Sequence, residues 1–214
     1  MSRIRPIAGH AAYRLIGIGW GFGRRGAALL GRLRRRPPVE PTENSAQVTF
    51  RVQRVSDLTA LARIRTRLWL AWSFAWRTQW AGFDWYVNAE TRGRTVSIAG
   101  IVDRDGVVGG VRTHLGLLGG VFTHPQYQRQ GLASEVVRRS TKFMTDDLRC
   151  DFGVLICSDD LVPFYERLGW RRVSNVMRFE RFGETGAVIG KVMVFECAGR
   201  SLPAGTIDVR GLPA

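Results

Sequence analysis

The chain has 214 residues, a hydrophobic fraction of 45% and a formal net charge of +14. That length and apolar content suit a single domain with its own core plus an extension. Cys150, Cys157 and Cys197 are odd in number and form no Cys-x-x-Cys pair, which fits a reducing, cytoplasmic compartment and argues against a disulfide framework or a structural metal.

The positive charge raises nucleic acid as a partner through phosphate attraction, yet no helix-turn-helix, zinc-finger or RNP-like pattern accompanies it. Lys142 and Lys191 are the only lysines among the 32 basic residues, an arginine bias that reads as genome composition rather than as a binding code. Residues 1–46 hold nine arginines against Glu40 and Glu43, so half of the net charge sits there. Leu15 to Gly23 is uncharged but far too short to span a membrane, and its four glycines make a poor helix. Residues 1–46 therefore read as a basic, flexible extension that the domain at 47–214 does not need for folding. Weak contact of this extension with an anionic membrane surface is allowed by its charge.

Val48–Gln53 alternates like a first strand. Ser56 is expected to cap a helix carrying Leu58, Leu61, Ile64 and Leu68. Trp69, Trp72, Trp76 and Trp80 follow at helical spacing and share one face. Such a stripe reads either as core or as an aromatic wall for an apolar acceptor. Strands are expected near Asp84–Asn88, Val96–Val102 and Gly116–Phe122, with Asp103-Arg-Asp-Gly106 as a turn.

Thr123-His-Pro-Gln-Tyr-Gln-Arg-Gln-Gly-Leu-Ala-Ser134 then reads as a strand end, a polar turn and a helix start. Small residues there allow close backbone approach, and first-turn N–H groups with the helix dipole suit a phosphate. The helix extends from Leu132 to Leu148. Phe152–Ile156 is a short buried strand, and Asp159 or Asp160 begins a helix through Pro163-Phe-Tyr-Glu-Arg-Leu-Gly-Trp170. Trp170–Asn175 and Val188–Glu196 complete the sheet, with a glycine-containing loop between them. The resulting order, β-α-α-β-β-β-α-β-α-β-β, is that of an α/β (α+β) domain with a mixed central sheet flanked by helices.

Gln128-x-x-Gly131-x-Ala133 together with Tyr165, Gly169 and Trp170 resembles the GNAT superfamily of acyl-CoA-dependent N-acyltransferases. The resemblance covers roughly residues 48 to 200, and within the superfamily the chain looks most like the aminoglycoside 2'-N-acetyltransferase and nodulation-type acyltransferase branch. Gln128 stands where Arg is common in the family, and Ala133 where Gly is common.

The resemblance implies an acetyl-CoA-dependent N-acetyltransferase acting on a primary amine of a small molecule. Transfer of a longer acyl chain, or a module that binds coenzyme A without turnover, are the alternatives. It places the pantetheine of acetyl-CoA against Val121, Phe122 and Thr123, and the pyrophosphate on Gln128, Arg129, Gln130, Gly131, Leu132, Ala133 and Ser134. Tyr165 is implied as the acid that protonates the departing thiolate. Trp76, Trp80 and Asp84 border the acceptor in this reading. Some relatives carry a carboxylate base where this chain has Leu118-Gly119-Gly120. Asp84, His114, His124 or a chain of waters are the remaining ways to take the amine proton. A homodimer is allowed, and no metal is expected.

Overall fold

The computed structural model describes residues 47–64, 66, 81–181, 184–188 and 191–214. The basic extension and the four-tryptophan stripe lie outside these residues. Strand β1, Thr49–Arg54, pairs antiparallel with β2, Trp85–Thr91. Between them, Val55–Asp57 makes a single 3-10 turn in which Ser56 Oγ donates to Asp57 instead of capping a helix. The cap is Thr59, whose Oγ1 accepts the Ala62 N–H at 3.2 Å. Within that helix Leu61 and Ile64 are exposed rather than core, at 76% and 55%.

Two long strands form the centre of the sheet. β3, Arg94–Val108, and β4, Val111–Thr123, are joined by Gly109 and Gly110, with φ of 58° and 87°. A two-residue link with both φ positive matches the right-handed twist of a hairpin, and glycine enters that region without a steric cost. The turn expected at Asp103–Gly106 is instead mid-strand. Asp105 pairs across to Arg112 at 2.5 Å, and Gly106 lies extended beneath Leu115 and the Asp208 carbonyl. An Asp-Gly pair that signals a turn locally is here overridden by cross-strand charge and by close approach of the tail.

Helix α1, Leu132–Asp146, follows β4 and packs across β2, β3 and β4. Its buried residues Leu132, Val136, Val137, Ser140, Thr141 and Met144 recur at helical spacing. On its outer face Glu135 pairs with Arg139 at 2.8 Å. β5, Phe152–Ile156, matches the expected strand, and a 3-10 turn at Asp159–Leu161 leads into α2, Val162–Glu166.

The glycine-containing loop expected after β6, Arg171–Val173, is a hairpin: β7, Met177–Arg181, and β8, Glu184–Val188. β9 is Val192–Glu196, so Val188 closes one strand rather than opening the next. A last short strand, β10 at Ile207–Asp208, inserts between β3 and β7. The sheet runs β6-β9-β5-β4-β3-β10-β7-β8, with β1 and β2 attached to the first half of β3. It is mixed: β4 with β5 and β7 with β10 are parallel, and the other pairs antiparallel.

Among the described residues Trp170 is the largest fully buried side chain, and it packs against Tyr165 and Phe195. It depends on Gly153 of β5. A Cβ there would lie 2.8 Å from the Trp170 ring, closer than real carbons approach. Because packed interiors accommodate added volume poorly, Gly153→Ala is expected to destabilise the fold by about 1–3 kcal/mol. Denaturant unfolding of the two proteins measures this; an unchanged midpoint would mean that Trp170 gives way freely.

Candidate active site

β4 and β5 run together for only three residues, Leu115–Leu117 against Phe152–Val154, and then part. β5 continues to pair with β9 on its other side. From Leu118 to Thr123 the edge of β4 toward β5 therefore has no strand partner among the described residues. The other edge stays on β3, but its register slips by one. Ile98 faces Phe122 whereas Gly100 faces Gly119, so β4 carries one extra residue there. Gly120, with φ of 59°, takes the bulge. A bulge bends its strand and re-aims backbone groups, and here it sits directly before Val121.

The bulge and the splay escaped sequence reading, although two adjacent glycines inside a strand are the available signal. Gly119 has a separate reason: a Cβ there would lie 2.5 Å from the carbonyl carbon of Ala214, because the tail crosses this strand. The tail is held by Arg104, which donates to the Val209 and Leu212 carbonyls at 3.3 and 3.2 Å, and by the Ala81 N–H on the Pro213 carbonyl.

Beyond Thr123 the chain forms the expected turn. The His124 N–H donates to the Val96 carbonyl, and His124 Nδ1 accepts the Gln126 N–H, so this histidine shapes the turn. Gln128 Nε2 ties the turn back to the Thr123 carbonyl at 3.1 Å. Arg129, Gln130 and Gly131 are exposed. Gly131 is the N-cap of α1, with φ of 79° and no capping side chain. The N–H groups of Leu132, Ala133 and Ser134 thus start the helix without intrahelical acceptors. A Cβ on Gly131 would meet nothing within 4 Å. Open space in front of uncapped donors at a helix N-terminus is a cradle for phosphate oxygens.

Tyr165 of α2 is buried and shares one core with Leu118, Leu132 and Val136, while Val121 packs against that core. The motif at 163–170 and the turn at 123–134 are thus brought together, although they lie on different elements. Burial, and secondarily Cys157, pushes the Tyr165 phenol well above its ordinary value, so it is a protonated donor at neutral pH. None of the hydrogen bonds among the described residues engages its hydroxyl. Burial also pushes the Cys157 thiol up to about 11, which leaves it protonated and a poor nucleophile. Ser158, where β5 ends, has a buried Oγ without a partner among the described residues, an orphan that sequence reading passed over.

The other expected residues have structural partners or lie elsewhere. Asp84 Oδ2 accepts the Asp103 N–H at 2.9 Å. His114 is bonded to Asp103 at 2.5 Å, seven residues before Val121 on β4. Trp76 and Trp80 lie outside the described residues.

The profile of the Acetyltransferase (GNAT) domain matches residues 66–173, just over half of the chain. The chain belongs to the GNAT superfamily. The match is to the superfamily domain and not to a branch of it. Among solved structures the fold is similar to Escherichia coli ElaA, with a TM-score of 0.52 and 16% identity over 70% of this chain and 100% of that one. It is likewise similar to a Pseudomonas aeruginosa acyl-CoA N-acyltransferase, with a TM-score of 0.52 and 16% identity over 70% of this chain and 99% of that one. E. coli YhbS, a GNAT family N-acetyltransferase solved in complex with CoA, gives a TM-score of 0.53 and 15% identity over 80% of this chain and 98% of that one. A comparison with curated proteins finds no significant match. The mixed, splayed sheet is the GNAT fold, and the domain is that of an acyl-CoA-dependent N-acyltransferase. No helix among the described residues is long and apolar enough to cross a membrane.

Gly131→Asp tests the cradle. Its side chain would project into the open space before the helix start, with a negative charge and an unfavourable positive φ. Acetyl-CoA affinity measured by calorimetry is expected to fall by at least about tenfold, while circular dichroism shows a folded domain. Unchanged affinity would remove this turn from the binding site.

Proposed function

We propose that this protein transfers an acetyl group from acetyl-CoA to a primary amine of a small molecule. The observation that carries the reading is the meeting of the Gly131 cradle, the stretch of β4 that has parted from β5 and the Tyr165 phenol around one core. First-turn N–H groups from Leu132 to Ser134, with Gln128 to Gly131, would hold the pyrophosphate. Val121 to Thr123 would hold the pantetheine where β4 and β5 have parted. Val121, next to the bulge, offers the N–H that would stabilise the oxyanion.

As the amine nitrogen bonds to the thioester carbon and the carbon–sulfur bond breaks, the leaving thiolate takes the Tyr165 proton. Asp84, His114 and His124 all have structural partners, which favours loss of the amine proton through water. Cys157 stays protonated, which favours direct transfer over a covalent acyl-enzyme. Trp76, Trp80 and Asp84 are proposed as the acceptor side. Because the body of the chain is net positive, an acceptor with apolar or aromatic surface is favoured over a polycation.

Thiol release measured with acetyl-CoA, longer acyl-CoAs and a panel of amines tests this reading. Turnover is expected with acetyl-CoA, and Tyr165→Phe should lower kcat roughly a hundredfold with little change in KM. Wild-type turnover in that variant would demote Tyr165 to packing. Binding of acetyl-CoA with no thiol release from any amine would leave a non-catalytic module, and a preference for long acyl chains would replace the acetyl assignment.

Among acceptors, arylalkylamines are expected to exceed aminoglycosides in kcat/KM. The reverse order would show that acidic residues focus locally in the groove despite the net charge.

A further inference from the structure

Three side chains from separate parts of the fold meet at the closed end of the splay. Asp103 of β3, His114 of β4 and Cys150 in the link into β5 present ligand atoms that all lie within 4.8 Å of one another. Strand register accounts for two of them. Asp103 faces Gly116, which makes His114 its diagonal neighbour on the same face of the sheet. Gly116 accounts for the third. A Cβ there would lie 3.2 Å from Cys150 Sγ, so the missing side chain lets the thiol approach the pair from beneath.

The backbone holds this arrangement in place. The His114 N–H donates to the Asp151 carboxylate at 2.9 Å, and the Asp151 N–H returns a bond of 2.8 Å to the His114 carbonyl. The Cys150 N–H is bonded to the Met144 carbonyl of α1. The side chains of Asp103 and His114 are 30% and 32% exposed, whereas Cys150 is 2% exposed. The cluster thus has a solvent-facing rim and a buried floor.

We propose that Asp103, His114 and Cys150 form a three-ligand site for Zn2+, with water completing a tetrahedron. Thiolate, imidazole and carboxylate are together a zinc set: the sulfur disfavours Mg2+ and Ca2+, and the carboxylate disfavours Cu+. Metal–ligand bonds of about 2.0–2.3 Å put tetrahedral ligand atoms roughly 3.3–3.8 Å apart. The Asp103–His114 pair, now at 2.5 Å, would open by about 1 Å, and the thiol, within 4.8 Å of both, would close by about 1 Å at most. Rotation of the two rim side chains supplies most of that movement.

As sulfur takes the ion, its proton passes to solvent. Burial pushes the Cys150 thiol up to about 12, so the metal-free site holds a neutral thiol. His114 lies about 20 Å along the strand from Val121, which separates this site from acyl transfer. It adjoins the three-residue contact of β4 with β5. A bound ion would pin those strands where they still touch.

The test uses the full chain stripped of metal by a chelator. Zn2+ is expected to bind by calorimetry as a single ion and to raise the melting temperature. Co2+ in its place should give a thiolate charge-transfer band in the near-ultraviolet. His114→Ala and Cys150→Ser should each weaken Zn2+ binding by at least roughly tenfold to a hundredfold, and Cys150→Ser should abolish the band. If Cys150→Ser fails to fold, His114→Ala and Asp103→Asn, both on the half-buried rim, carry the affinity test. Absence of Zn2+ binding to the folded wild type would overturn the proposal. So would unchanged affinity in the rim variants, or a cobalt band that survives loss of Cys150.

Discussion

A strand that leaves its parallel partner half-way along exposes a row of N–H and C=O groups that something else must satisfy, and β4 does this after Leu117. In a closed sheet those groups would be spent on the neighbouring strand. Here they line a gap whose far side is β5 and whose end is the N-terminus of α1. The bulge at Gly120 adds to the effect, because it turns the strand just before Val121 while β3 holds the opposite edge. A ligand that offers amide groups along its length, followed by phosphates, matches these donors in the order in which the chain presents them.

The positions along this edge are filled by constraint rather than by chemistry. Gly119 is small because the tail backbone at Ala214 lies against it. Arg104, anchored at two tail carbonyls, keeps that tail in place; burial lowers its pKa from the ordinary value, an effect that Asp84 opposes. A carboxylate base on β4 would need the volume that the tail occupies. The absence of an acidic side chain at Gly119 is therefore explained by packing.

What could be read from the sequence was what local patterns encode. The Gln128-x-x-Gly131 turn, the helix that follows it, the β5 strand and the motif at Tyr165 depend on neighbours within a few residues, and each appears where expected. Several of the failures share one cause, which is contact over long sequence distances. Asp103–Gly106 has turn chemistry, but Arg112 and the tail at Asp208 hold it in a strand. β10 forms because Ile207 and Val209 are buried between β3 and β7, a pairing that no local window contains. The Asp103, His114 and Cys150 cluster is the extreme case. Its residues form no short ligand motif, and the register of one hairpin with the space left at Gly116 brings them together.

α1 connects the two ends of this arrangement. Its first residue, Leu132, belongs to the core around Tyr165, and Met144 near its end wedges against Gly116 and Gly153 at the closed end of the splay. A helix of this length spans about 20 Å, close to the stretch of β4 from His114 to Val121. The helix therefore works as a strut, fixing how far the phosphate cradle stands from the point where β4 and β5 part. Gly131 sets where the strut begins, because only a residue at ease with positive φ can turn the chain from the Gln128 loop directly into the helix. Met144 sets where it is fastened, since Gly116 and Gly153 leave a slot of its width on two adjacent strands. The spacing of Val121 and Tyr165, the groups proposed to react, thus depends on three glycines and one helix.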